Sequence, residues 1–134
     1  MAINILTTNL SILIVEDDKD CAQLLESVLN EKGHSVQIAS CQDTAIKLFS
    51  ESNFDIVMLD ISLPDGLGYH LICHFQAKKA TTRIIITSAL SESEIRQNLK
   101  TIGCHVEGIF IKPFDIGVLL RNLIKGAEPD FSCF

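Results

Sequence analysis

The chain has 134 residues, 47% hydrophobic and 21% charged, with a net charge of −6. That length suits one ordinary domain with its own core, and the apolar content excludes a disordered chain. An acidic balance without a Lys/Arg-rich block excludes non-specific nucleic-acid binding and attraction to a membrane surface, and no apolar run reaches the length of a bilayer span.

In chain order, Met1 to Ser11 has no basic start and no long apolar core, so it does not read as a secretory signal. Ser11 to Val15 is a solid apolar run, a central strand ending in the acids Glu16-Asp17-Asp18. A helix starts at Asp18 or Lys19, with Cys21, Leu24, Leu25 and Val28 at i, i+3, i+4 and i+7 as its core face, and Gly33 stops it. Ser35 to Ala39 alternates and suits a strand nearer an edge. Gln42 to Ser52 is a second helix, with Ala45, Leu48 and Phe49 inward. Ile56 to Leu59 is a doubly buried strand leading into Asp60, and the turn residues Pro64, Asp65 and Gly66 follow. Gly68 to Lys78 is a third, weaker helix. Arg83 to Ser88 is a β-branched buried strand. Ser91 caps a fourth helix that ends at Gly103, with Glu94 three residues after the cap. Gly108 to Lys112 is a fifth strand, cut off by Pro113. Asp115 caps the last helix, whose stripe is Ile116, Leu119, Leu120 and Leu123, and Gly126 onward reads as tail.

Strand and helix alternate five times, which predicts an α/β fold: a five-stranded parallel sheet with helices on both faces, three layers in all. The cysteines at 21, 41, 73, 104 and 133 include no CxxC pair and read as reduced thiols of a cytoplasmic protein. Cys73-His74 and Cys104-His105 lack the second ligand pair that a tetrahedral metal site needs.

In a parallel sheet the carboxyl ends of all strands share one edge. The predicted strands would bring Glu16, Asp17, Asp60, Ser88 and Lys112 to that edge. Clustered carboxylates repel unless one is protonated or a cation intervenes, and a hard divalent cation such as Mg²⁺ prefers such oxygen ligands. Acids around a cation, with one carboxylate left as nucleophile, suit phosphoryl transfer, and a lysine and a hydroxyl can hold the transferred oxygens. Singly, each residue has a plainer explanation as a strand end, cap or turn. Their coincidence at the ends of four predicted strands favours the site.

Ile12-Leu-Ile-Val-Glu16-Asp17-Asp18, Asp60-Ile-Ser-Leu-Pro64-Asp-Gly66-Leu-Gly68, Ser88-Ala89 and Lys112-Pro113-Phe114 together resemble the receiver domain of two-component response regulators (the CheY-like superfamily), from about Ser11 to Lys125. The resemblance implies a flavodoxin-like (βα)5 fold with strand order 2-1-3-4-5. It implies Asp60 as phosphoacceptor from a histidine kinase or histidine phosphotransfer protein, in a phosphorelay. It further implies direct Mg²⁺ ligation by Asp17, Asp60 and the Ser62 carbonyl, and Glu16 acting through water. Lys112 would contact the acyl phosphate, with a cis Lys112-Pro113 bond, and Ser88, or Thr87 with an offset of one, would be the switch hydroxyl. The family's aromatic switch position is Ile109 here, while Phe110 should face the other side of the sheet. The tuning positions are Ser62 and Leu90, neither carrying a charge or an amide that could orient an attacking water, which implies a slowly decaying acyl phosphate.

The expected organisation is an N-terminal extension over residues 1–10, a receiver domain over 11–125 and a tail over 126–134 carrying Phe131 and Phe134. It would act through a downstream effector protein or as a homodimer, with no direct nucleic-acid or membrane contact and no activity beyond self-phosphorylation and autodephosphorylation. Whether it is free or part of a larger hybrid kinase stays open. A pseudo-receiver that only docks is the main alternative. An aspartate-nucleophile phosphatase would need a second Asp where Ser62 stands, and a nucleotide or flavin binder would need a Gly-rich loop after the first strand.

Overall fold

A computed structural model describes residues 9–127, with side chains through residue 123. The expectations for residues 1–8 and 128–134, Phe131, Cys133 and Phe134 among them, lie outside the described residues. The elements are β1 (Ser11–Val15), α1 (Lys19–Glu31), β2 (Ser35–Ala39), α2 (Gln42–Glu51), β3 (Ile56–Asp60), β4 (Ser62–Leu63), β5 (Gly66–Leu67), α3 (Tyr69–Lys78), β6 (Arg83–Ser88), α4 (Glu92–Ile102), β7 (Gly108–Ile111) and α5 (Ile116–Ala127). The large sheet runs β2-β1-β3-β6-β7 with every pairing parallel. This is the predicted five-stranded order. The chain starts in the middle and reverses direction across the sheet between β1 and β3, which opens a crevice at their carboxyl ends.

Side-chain alternation divides the core into two layers. Leu13, Val15, Val57, Leu59, Ile84 and Ile86 face α2, α3 and α4, where the Phe49 and Phe75 rings meet at a tilt of 31° with centroids 4.3 Å apart. Ile12, Ile14, Ile56, Met58 and Ile85 face α1 and α5 through Ala22, Leu25, Leu29, Leu119 and Leu123. Each of the larger side chains among these, fully buried, contributes about 1.5–3 kcal/mol. All five residues of β3 are buried, as its unbroken apolar run predicts, while β2 alternates at the edge.

The helix ends follow their capping residues. Asp18 accepts the Cys21 amide at 3.1 Å and Ser91 accepts that of Glu94 at 3.2 Å, so both act as N-caps. Gly103 ends α4 in the left-handed region, φ 75°, which strains any other residue. At the amino edge of the sheet, Arg83 grips Glu107 at 2.6–2.9 Å and also donates to the Asn122 and Leu123 carbonyls of α5. No helix among the described residues is long and apolar enough to cross a membrane.

Several expectations need correcting. The inward face of α1 is Ala22, Leu25 and Leu29, and Leu24 is 53% exposed, because the helix is rotated by part of a turn from the predicted stripe. The stretch after Asp60 is not only a turn: β4 and β5 pair as a small antiparallel hairpin. The last helix continues through Gly126 to Ala127. The thiols are not all reduced: Cys73 and Cys104, 31 residues apart in sequence, are joined in a disulfide, while Cys21 and Cys41 are free. Sequence spacing could not reveal that pair, since only the docking of α3 beside the end of α4 brings the two together.

His34 is buried at the start of β2, and its Nδ1 accepts the Leu10 amide at 3.1 Å, a bond that requires the neutral ring. Burial lowers its pKa below the ordinary 6.5. As pH falls through that value, the unfolded chain takes up a proton that the folded chain refuses, so acidification costs stability. His34→Asn keeps an acceptor and removes the titration. The fall in urea midpoint between about pH 7 and pH 5.5 should therefore be shallower in His34→Asn than in the wild type, and an equal slope would exclude His34 as its source.

Candidate functional site

The carboxyl edge of the sheet is assembled by three strand ends. β1 hands over to Glu16, whose amide still pairs with the Ala39 carbonyl at 2.9 Å. This holds the Glu16 side chain inward, 2% exposed, while Asp17 turns outward. β3 ends in Asp60, 5% exposed, whose Oδ1 accepts the Ser62 amide at 3.1 Å. β7 delivers Lys112, whose amide donates to the Ser88 carbonyl at 2.7 Å, and the Lys112-Pro113 bond is cis as expected.

The three strands meet in one ion cluster. Lys112 Nζ donates to Glu16 Oε1 at 2.5 Å and to Asp60 Oδ2 at 3.0 Å. Carboxylate oxygens of Glu16, Asp17 and Asp60 lie within 4.8 Å of one another. Burial raises the Glu16 carboxyl pKa, and the neighbouring Asp60 adds to the rise against the opposing Lys112 contact. Burial pulls Lys112 down, but its bonds to Glu16 and Asp60, with their charges, outweigh this and raise it overall. The Cys21 thiol is pushed up to about 11, first by burial and then by the Glu16 charge. The cluster thus holds more negative charge than one ammonium balances. An all-oxygen donor set with one open, solvent-facing carboxylate at Asp17 fits a hard divalent cation such as Mg²⁺.

Of the sequence-predicted residues, the fold brings Glu16, Asp17, Asp60 and Lys112 together. Ser62 is exposed beside Asp60 and touches it through its amide. Thr87 pairs with Asp60 in the strand register and shares its sheet face, whereas Ser88 points to the other face, fully buried. The Ser88 hydroxyl accepts the Leu90 amide at 3.1 Å. Ile109 packs on the α2–α4 side, and Phe110 lies on the opposite face against Phe114, ring centroids 6.0 Å apart.

One contributor was not foreseen. Asp65 accepts the Gln42 amide at 3.0 and 3.1 Å and the Asp43 amide at 3.4 Å, capping α2 from across the loop. Those backbone donors, Gln42 foremost, lower its carboxyl pKa. A signal was present in the sequence: α2 begins after Cys41, which has no cap oxygen of its own. The cap fastens the Pro64-Asp65-Gly66 turn beside the acids. Gly66 sits there at φ 127°, and a Cβ would come within 3.1 Å of the Gln42 side-chain nitrogen Nε2. An open cleft of about 590 Å³ lies next to it, lined by Glu16, Asp17, Lys19, Ser40, Thr44 and Pro64 among others.

Known proteins resemble this chain in sequence and fold. The family model for the response regulator receiver domain matches residues 12–124. The transcriptional regulatory protein DltR of Streptococcus agalactiae is 30% identical over 112 residues, covering 84% of this chain and 49% of that protein. The chain spans about half the length of the curated relatives it matches. A two-component response regulator from Clostridium difficile superposes with a TM-score of 0.79 at 28% identity, covering 89% of this chain and 95% of that one. The response regulator TrrA from Thermotoga maritima, solved in complex with Mg²⁺ and beryllofluoride, gives 0.74 at 28% identity, over 88% and 98% of the two chains. Receiver domains are non-catalytic signalling modules that work with kinases or phosphotransfer proteins and with effectors, and the acidic pocket of this chain is consistent with a phosphoacceptor site. With the family model matched over nearly the whole described fold, and with the acids and the lysine at its carboxyl edge, this chain belongs to the response regulator receiver-domain family.

Proposed function

We propose that Asp60 accepts a phosphoryl group from a histidine kinase or histidine phosphotransfer protein, and that the resulting change passes to a downstream effector. The single observation that carries this is the contact of Lys112 Nζ with Asp60 Oδ2 at 3.0 Å, inside a cluster of three carboxylates. An Asp60 oxygen attacks the phosphorus of the phosphohistidine donor. The P–N bond breaks, the imidazole leaves and takes up a proton, and a mixed anhydride forms on Asp60. Lys112 loses the Asp60 carboxylate as an ion partner and gains the phosphoryl oxygens, while Glu16 keeps its other side in place. Glu16, Asp17, Asp60 and the Ser62 carbonyl would hold Mg²⁺, which when bound offsets the repulsion between the acids and the incoming phosphoryl group.

The switch hydroxyl in this reading is that of Thr87, on the sheet face of Asp60, or that of Ser88, which would have to give up the Leu90 amide and turn from the opposite face to reach a phosphoryl oxygen. The Ser88 route would couple charge at Asp60 to the loop leading into α4. In this reading the receiver domain runs from residue 11 to the end of α5 at Ala127, two residues past the expected boundary at 125, and follows an N-terminal extension over 1–10. Its output surface is α4, β7 and α5, met by an effector or by a second copy. With Ile109 in place of an aromatic switch, the change travels through the backbone of that surface. A cytoplasmic location goes with the reading.

Incubation with acetyl phosphate and Mg²⁺ should add the mass of one phosphoryl group, and both Asp60→Asn and chelation of the metal should abolish the gain. A gain that survives Asp60→Asn would overturn the assignment. Because neither Ser62 nor Leu90 carries a charge or an amide that could orient an attacking water, the labelled wild type should persist for minutes or longer, and decay within seconds would contradict this. Lys112→Met leaves two buried acids without a counter-ion and should cost about 1–3 kcal/mol of metal-free stability, the low end because the crevice opens to water. In the Asp60→Asn background the same substitution should cost less, and an additive double-mutant cycle in urea unfolding would show that the two side chains do not interact.

A further inference from the structure

We propose that Cys73 and Cys104 form a reversible thiol–disulfide site that locks α3 to the end of α4. One face of α3 presents Tyr69, Cys73 and Gln76 at i, i+4 and i+7. All three meet α4 or the residues just past its glycine stop. Asn98 donates to the Tyr69 hydroxyl at 3.1 Å, Cys73 bonds to Cys104, and Gln76 donates to the His105 carbonyl at 2.8 Å. The cysteine Cα atoms are 6.5 Å apart, within the ordinary range for a bridge.

The hydrogen bonds on either side hold the seam in register when the sulfurs separate, so the thiols stay facing each other and reclosure needs no search. Both cysteines are only half-buried, which leaves the pair within reach of a small oxidant or reductant. With glutathione disulfide as oxidant, one cysteine thiolate attacks a glutathione sulfur, and the first glutathione leaves as a thiolate and takes up a proton. The second cysteine, deprotonated, then attacks the mixed disulfide and displaces the other glutathione. Two cysteine thiols are oxidised and one glutathione disulfide is reduced to two thiols. A dithiol reductant runs the reverse.

Closed, the bridge ties down the helix whose amino end follows the Ser88-Leu90 bond. A shift of α4 on phosphorylation would therefore have to work against it, a consequence that rests on the receiver reading above. The bridge itself stands on the seam alone.

The test equilibrates the 134-residue chain in glutathione buffers of opposite poise and labels it with N-ethylmaleimide under denaturing conditions. The oxidised chain should take up two fewer labels than the five of the fully reduced chain, and a linked peptide should join residues 73 and 104. Amide exchange in the last turn of α4 should be about tenfold faster in the reduced wild type. The double variant Cys73→Ser/Cys104→Ser should exchange at the reduced rate in both buffers. The reduced wild type is itself the reference, so a variant that fails to fold does not remove the comparison. Equal label counts in both buffers, a link to a different cysteine, or exchange in the wild type that ignores the buffer would each overturn the proposal. Acetyl phosphate labelling of Asp60 in the same two buffers separates the readings. No labelling in either buffer sinks the receiver reading alone, and an unresponsive label count sinks the tether alone.

Discussion

One ammonium group holds the carboxyl edge of this protein together. Lys112 reaches Glu16 on one side and Asp60 on the other, and each belongs to a different strand of the sheet. Buried carboxylates of like charge are tolerated where one keeps its proton or a cation stands between them, and the lysine side chain is three-quarters shielded from water while it does so. Glu16 therefore acts as an anchor for the lysine as much as a candidate metal ligand. Its fixed position leaves Asp60 as the partner that can change chemistry without dispersing the cluster.

The scaffold that makes this possible is plain. Parallel pairing aligns the ends of β1, β3 and β7 on one edge, and two hydrophobic layers prevent them from sliding. The hairpin β4–β5 and the Asp65 cap then fold the loop after Asp60 down against α2, so the crevice has a fixed wall on one side. The opposite wall, the Ser88-to-α4 connection, is held at this edge by a hydroxyl–amide bond, a backbone bond to Lys112 and the packing of Leu90 on the core. The two walls face each other across the acids.

Much of this was legible from residue order. Unbroken apolar runs at Ile12–Val15 and Ile56–Leu59 mark doubly buried strands, and the acids that follow them fall at the shared edge by topology alone. Caps at Asp18 and Ser91 and the stop at Gly103 are local chemistry, readable within a few residues. The misses have a common cause. Leu24 is out of the core because a small sideways turn of α1 exchanges it for Ala22, and periodicity does not fix that phase. Asp65 caps a helix that begins 23 residues earlier, and Cys73 finds Cys104 only after two helices dock. Each depends on a tertiary neighbour, which no window of sequence contains.

The hydrogen bond between Asn98 and Tyr69 has an optical consequence. The chain contains no tryptophan and a single tyrosine, and that ring is almost wholly buried with its hydroxyl bonded to α4. Tyrosine emission from this molecule is therefore a built-in reporter of how closely two helices sit, located away from the acids and requiring no introduced dye.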